Sequence, residues 1–312
     1  MPWACGGSQA CLRVASATWP SLPGNPHSAR PGTRVAAPGV DTLHHVITDG
    51  EFDALVRGEL RPAAVAFCPH PPVLIPAIAR KAAAEFAPLL AACDDAVQWL
   101  TERATVVGIV GSRVPTAPVS HFAPGVAAQE LPPDDLPLSV AIGWWLIDRV
   151  APAHDRFAVA VDPDGGRAAL LRSEVQATEG PVGLLVMGDG SARRGPKAPG
   201  YVDPRAEPFD AAVSAALAAA DRTTLANLDV AAATELLVAG VGPWRAVARW
   251  TAEGEWTASV RYADASAGVQ YIVATWARSD PAGAAAVSHG IAATVGKFPG
   301  PTVHAVAGPA NS

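Results

Sequence analysis

The sequence predicts an α/β fold: a single domain with a central, mostly parallel or mixed sheet flanked by helices. Three observations predict it. Short apolar runs at residues 63–68, 105–110, 157–161 and 182–187 each stop at glycine, proline or a polar residue, as strands buried on both faces do. Stretches with helical spacing stand between several of them. Strands that alternate with helices build a layered α/β domain rather than two segregated halves.

The elements follow in order. Residues 1–60 read as a disordered or poorly ordered extension, rich in Gly, Pro, Ser and Ala and without helical or strand period. Initiation at Val46 or Val56 would shorten it. The domain spans residues 61–278, and residues 279–312 read as a low-complexity tail. After the first strand, a helix is expected from Pro76 to about residue 103, with Ile78, Phe86, Leu89, Leu90, Val97 and Leu100 at mixed spacings of three, four and seven and Pro88 kinking or splitting it. A loop over 111–118 follows the second strand. Residues 138–142 read as a further strand and 144–150 as a short helix. Helices are expected over 209–219 and 229–239, the latter with Asp229 as N-cap and Gly240 as C-cap. One or two turns over 244–250 precede closing strands at 258–262 and 269–274.

Composition narrows the function. Half of the 312 residues are hydrophobic, ample for a core. Twenty-three Lys and Arg against 29 Asp and Glu give a net charge of −6, which argues against nucleic acid, since phosphate binding needs a basic surface. No long apolar run has the character of a membrane span. Cys5, Cys11, Cys68 and Cys93 form no CxxC pair, and Cys68 and Cys93 sit in apolar surroundings as buried thiols. That usage fits a reducing cytosol, and a cytoplasmic location is expected. No basic cluster followed by an apolar run marks a secretory leader. Gly-x-Gly-x-x-Gly, Walker A and Gly-x-Ser-x-Gly are absent.

In such folds ligands bind at the carboxyl ends of the strands, which directs attention to three loops. The first, Cys68-Pro69-His70-Pro71-Pro72, holds a histidine between prolines; the rigid backbone suits a metal ligand, whose ring must keep one orientation. The second, Gly111-Ser112-Arg113-Val114-Pro115, offers Arg113 to an anionic substrate, and His121 lies further on as a second candidate ligand. The third, Gly188-Asp189-Gly190-Ser191, is a tight turn whose Asp189 could serve a metal or a substrate. Arg193, Arg194 and Lys197 follow it, then a dense run through Tyr201 to Arg205. Lys197 and Tyr201 are candidate substrate contacts. Asp189 and Ser191 are candidate catalytic groups; a hydrolase or transferase built on them needs a histidine within reach of Ser191.

Three segments together carry a family resemblance: Cys68-Pro69-His70-Pro71-Pro72-Val73-Leu74-Ile75-Pro76, Gly188-Asp189-Gly190-Ser191, and Ala198-Pro199-Gly200-Tyr201-Val202-Asp203-Pro204-Arg205-Ala206 running into Phe209-Asp210. In these the chain resembles the class III extradiol ring-cleavage dioxygenase B-subunit (LigB-like) superfamily, in particular an uncharacterised actinobacterial branch. The resemblance covers roughly residues 61–278. It implies a sheet-centred α/β fold, a non-haem Fe(II) site, with Zn(II) as the lesser alternative, and a small catechol-type aromatic substrate. Neither nucleic acid nor membrane is implied as a partner, and homo-oligomerisation is left open. His70 matches the first metal histidine. The second would fall near Ser112 or Arg113, the acid–base histidine just after Ser191, where Ala192 stands, and the ligand glutamate near residues 242–245, around Trp244. One of the four expected groups is retained, so the family reaction requires His121 with Asp189 or Asp203 to rebuild the site. The alternative is a catalytically inactive LigB-like protein kept for binding or assembly.

Overall fold

Four parallel strands form the middle of one seven-stranded sheet. The computed structural model describes residues 61–114, 116–176 and 179–279, all within one compact unit of the chain. The expectations for residues 1–60 and for the tail after 279 lie outside the described residues.

Strand β1 (Ala64–Cys68) is followed by short helical turns and helix α1 (Ala83–Thr101). Then come β2 (Val106–Ser112), α2 (Leu138–Val150), β3 (Asp155–Val161), β4 (Ala168–Glu174) and β5 (Val182–Met187). Helices α3 (Ala206–Ala219), α4 (Arg222–Ala226), α5 (Val230–Glu235) and α6 (Val241–Trp250) precede β6 (Trp256–Asp264) and β7 (Tyr271–Arg278). The strand order is β4-β3-β2-β5-β1-β7-β6. Strands β3, β2, β5 and β1 run parallel, while β4, β7 and β6 are antiparallel additions at the two edges. The sheet is therefore mixed with a parallel centre, as the apolar runs predicted.

Side chains alternate across the central strands and feed two cores. Val65, Phe67, Leu184 and Val186 face α3 and α6. Ala66, Ile109, Leu185 and Met187 face α1 and α2. This is the period of two that a strand buried on both sides must show. Phe67 meets Trp276 edge-on at 4.7 Å between centroids, and the Trp276 indole N–H donates to Leu217 O at 2.7 Å, so a large apolar group is buried with its polar atom satisfied. Gly143 lets α2 lie close to the sheet, because a Cβ there would come within 2.6 Å of Ile109.

Four expectations change. Residues 138–142 are the first turns of α2, not a strand. Every residue from Leu138 to Trp144 is buried, so the helix shows an unbroken apolar run instead of a stripe. The helix expected from Pro76 breaks at Arg80, where φ is 51°, and Pro88 lies inside α1 without splitting it. Strand β4 is an added edge strand whose Ala-Ala-Leu-Leu run lacks β-branched residues. Helix α5 ends at Glu235, and Gly240 is the N-cap of α6 rather than the C-cap of α5.

Candidate functional site

The connections leaving β1 and β2 pass over one face of the sheet, and the one leaving β5 passes over the other. Such a reversal opens a crevice at the carboxyl ends of the strands. His70 stands two residues beyond β1, between Pro69 and Pro71. Its backbone N–H donates to Asp189 Oδ1 at 2.8 Å, and its Nδ1 lies 3.7 Å from the same oxygen. The side chains of His70 and Asp189 are 8% and 15% exposed. Nδ1 is buried without a hydrogen-bond partner among the described residues, an uncommon state for an interior nitrogen.

The turn after β5 is held from three sides. Gly188 N–H donates to Cys68 O at 2.9 Å, Gly240 N–H donates to Asp189 O at 2.9 Å, and Gly190 N–H donates to Gln270 O at 2.8 Å. A Cβ at Gly188 would lie 2.5 Å from Gly240 Cα, so glycine permits the turn and the start of α6 to touch backbone to backbone. Tyr271 is buried nearby; burial first, and the Asp189 carboxylate second, hold its phenol well above the ordinary range, so it stays neutral. The thiols of Cys68 and Cys93 are both buried and free, and burial pushes Cys93 up.

His70 opens onto a cavity of about 300 Å³, whose walls include Ser112, Val114, Ser139, Leu237 and Val238. The polar end is unusually orderly. Ser139 Oγ accepts Ser112 N–H at 3.0 Å, Ser112 Oγ accepts Val114 N–H at 3.2 Å, and Thr116 Oγ1 accepts Leu138 N–H at 3.1 Å. Pro137 O receives the first helical bond of α2, from Ala141 at 2.8 Å.

The structure brings His70 and Asp189 together and places the other candidates elsewhere. His121 is exposed on a 3₁₀ turn, Val119–Phe122, edge-on to Phe122 at 5.6 Å. Arg113 pairs with Asp162 at 3.6 Å. Lys197 pairs with Glu85 at 3.4 Å on the surface. Tyr201 is 88% exposed. Asp203 is clamped by Arg205 through 2.9, 3.0 and 2.7 Å bonds, and those hydrogen bonds bring its carboxyl down to about 2. Ser191 is fully buried; its Oγ donates to Asp210 Oδ2 at 2.5 Å and its N–H to Asp210 Oδ1 at 2.8 Å. A hydroxyl fixed on a buried carboxylate ties the β5 turn to α3, and the partner of that hydroxyl is Asp210 rather than a histidine.

These residues do not fit the iron or zinc site that the sequence suggests. His70 and Asp189 are two donors, and among the described residues no three His, Cys, Asp or Glu side chains are arranged to hold a metal ion. A facial triad needs three. The neighbours that complete the pocket are hydroxyls and aliphatic groups instead.

No family model and no curated protein matches this chain. Among the described residues, no helix is long and apolar enough to cross a membrane.

Sequence reasoning passed over Ser139, Thr116 and the segment from Thr234 to Gly242. Ser139 had one legible signal: a serine two residues after a proline, where a helix start places its hydroxyl beside the first-turn N–H groups. Leu237 and Val238 carry none, because only the packing of α5 and α6 brings them across from β2.

Proposed function

We propose that this chain is a ligand-binding protein of LigB-like fold, in which the place of an extradiol metal site has become an apolar pocket for a small molecule, aromatic or similar in size. A single observation carries this reading: His70 and Asp189 meet at the carboxyl ends of the central strands β1 and β5 with no third metal donor among the described residues, and His70 opens onto a cavity of about 300 Å³ lined by Ser, Thr, Val and Leu. A cleft of this size with a few polar groups on its wall suits one small ligand. His70 lines the cavity with Asp189 behind its Nδ1, and no ring-opening step follows from the two.

The test is elemental analysis of the full chain purified under anaerobic conditions, beside His70→Ala. Iron and zinc well below one per chain in both proteins are expected. Near-stoichiometric metal that disappears in His70→Ala would overturn the reading and restore a dioxygenase-type centre.

A further inference from the structure

We propose that a second copy of this chain pairs with β6, antiparallel and about a two-fold axis at Ala258, so that one sheet runs through both copies. This goes beyond the ligand-binding reading and does not depend on it.

The two edges of the sheet differ. Along β4, Ala168, Ala169, Leu170 and Ser173 are buried and Glu174 alone is exposed. Along β6, Thr257, Ser259, Val260, Arg261 and Ala263 are exposed, and β7 is its only strand neighbour among the described residues. A long open edge is a template for another strand, and neither lysine nor proline closes this one. The bulge between Val260 and Tyr262 interrupts the ladder and leaves Trp256 to Val260 as its regular stretch. Paired antiparallel with its own copy, that stretch is centred on Ala258, and the side chains then match. Trp256 falls opposite the partner's Val260, an aromatic beside a β-branched residue. Thr257 falls opposite the partner's Ser259, hydroxyl to hydroxyl. Both are favourable cross-strand pairs, and the partner covers Val260, an apolar side chain that is 39% exposed in the single chain.

Charge selects the same register independently. Glu255 and Arg261 flank the regular stretch. Arg261 lies over the Trp99 ring of α1 and donates from Nε to Thr275 Oγ1 at 3.1 Å, but it meets no carboxylate among the described residues. Glu255 is exposed and makes no ion pair among them. Trp256 and Ala258 pack toward α3 and α6, so alternation back from Thr257 puts Glu255 on the α1 face, where Arg261 lies. About Ala258, Arg261 comes opposite the partner's Glu255, and the two-fold axis makes the match twice. A slip that sets Asp264 against Glu255 is repelled. Helix α3 packs beside β6, and Ala211, Ala215 and Ala218 on its exposed side put no long side chain in the path of a second copy.

Sedimentation velocity of the full chain over a concentration series tests this, with Glu255→Arg, Arg261→Glu and their equimolar mixture. Wild type is expected to form a dimer whose fraction grows with concentration. Each variant alone sets like charges opposite each other, and its dimer should be weaker by at least about tenfold. The mixture restores opposite charges at both ends of the ladder and should dimerise as tightly as wild type, a recovery that a merely structural role for either residue does not give. A chain that stays monomeric throughout the series, or a Glu255→Arg dimer as tight as wild type, would overturn the proposal. Weakening of both variants without recovery in the mixture would overturn it too. Far-UV circular dichroism establishes that each variant folds before mixing; if Arg261→Glu does not, the comparison of Glu255→Arg with wild type decides alone.

Discussion

Ser191 Oγ donates to Asp210 Oδ2 at 2.5 Å, and both residues are sealed from solvent. Arg194 Nη1 adds a third contact to the same carboxylate at 3.3 Å. Burial nevertheless prevails and lifts the Asp210 carboxyl above its ordinary value of 3.8, against the pull of the bonds from Ser191 and Arg194. The folded protein then holds this proton more tightly than the unfolded chain does. The stabilisation is complete below the unfolded value and is lost as pH rises through the raised folded value. In urea unfolding between about pH 3.5 and pH 7, the stability of wild type relative to Asp210→Asn should therefore fall as pH rises. A difference that stays constant would refute the assignment.

Asp189 is expected to matter for the fold before it matters for any ligand. Its Oδ1 accepts the His70 N–H and so joins the tips of β1 and β5. Asp189→Ala leaves that donor buried and should cost about 1–3 kcal/mol. Asp189→Asn keeps an acceptor oxygen and should recover most of the loss in the same chemical denaturation experiment.

The contact between Gly188 and Gly240 tolerates no side chain. In Gly188→Ala the new methyl would lie 2.5 Å from Gly240 Cα and 3.0 Å from the Trp244 ring nitrogen. Overpacking of this kind costs about 1–3 kcal/mol. A clear drop in Tm is expected, together with a change in fluorescence from Trp244, which is buried against this turn.

Lys197 and Tyr201 are expected to contribute little to the fold. Lys197 reaches Glu85 on the surface, and the Tyr201 ring is open to water. An exposed ion pair contributes little, about 0–1 kcal/mol. In urea unfolding Lys197→Ala and Tyr201→Ala should lie within about 0.5 kcal/mol of wild type. A loss above about 2 kcal/mol in either would show that the β5 loop is held through these side chains.

The strands were legible because burial on both faces leaves a mark that needs no partner information: runs such as 182–187 are apolar from end to end. The same mark misleads for α2. Packed against the sheet and α1, it is buried all round over its first turns, and Val140 and Ile142 gave it the look of a strand. The site was half legible. A histidine clamped by prolines and an aspartate between glycines lie at strand ends in the chain as well as in space. The hydroxyl wall was not legible, since Ser139 and Thr116 reach the cavity only because α2 begins against the end of β2. Ser191 misled for a different reason: its partner Asp210 lies on α3, and nothing in a turn motif reveals that a helix will claim the hydroxyl.

The position of β1 in the sheet has a consequence for synthesis. This first strand is flanked by β5, with Ala64 opposite Gly183, and by β7, with Ala64 opposite Ala277. Among the described strands the ribosome delivers it first, yet neither neighbour exists until much of the domain has been made. Contacts so distant along the chain close slowly, and until they close a fully apolar strand has both edges bare, the condition in which nascent chains aggregate. Emergence of the β6–β7 hairpin is therefore expected to complete the native sheet. Chains stalled before residue 278 should depend on chaperones far more than completed ones.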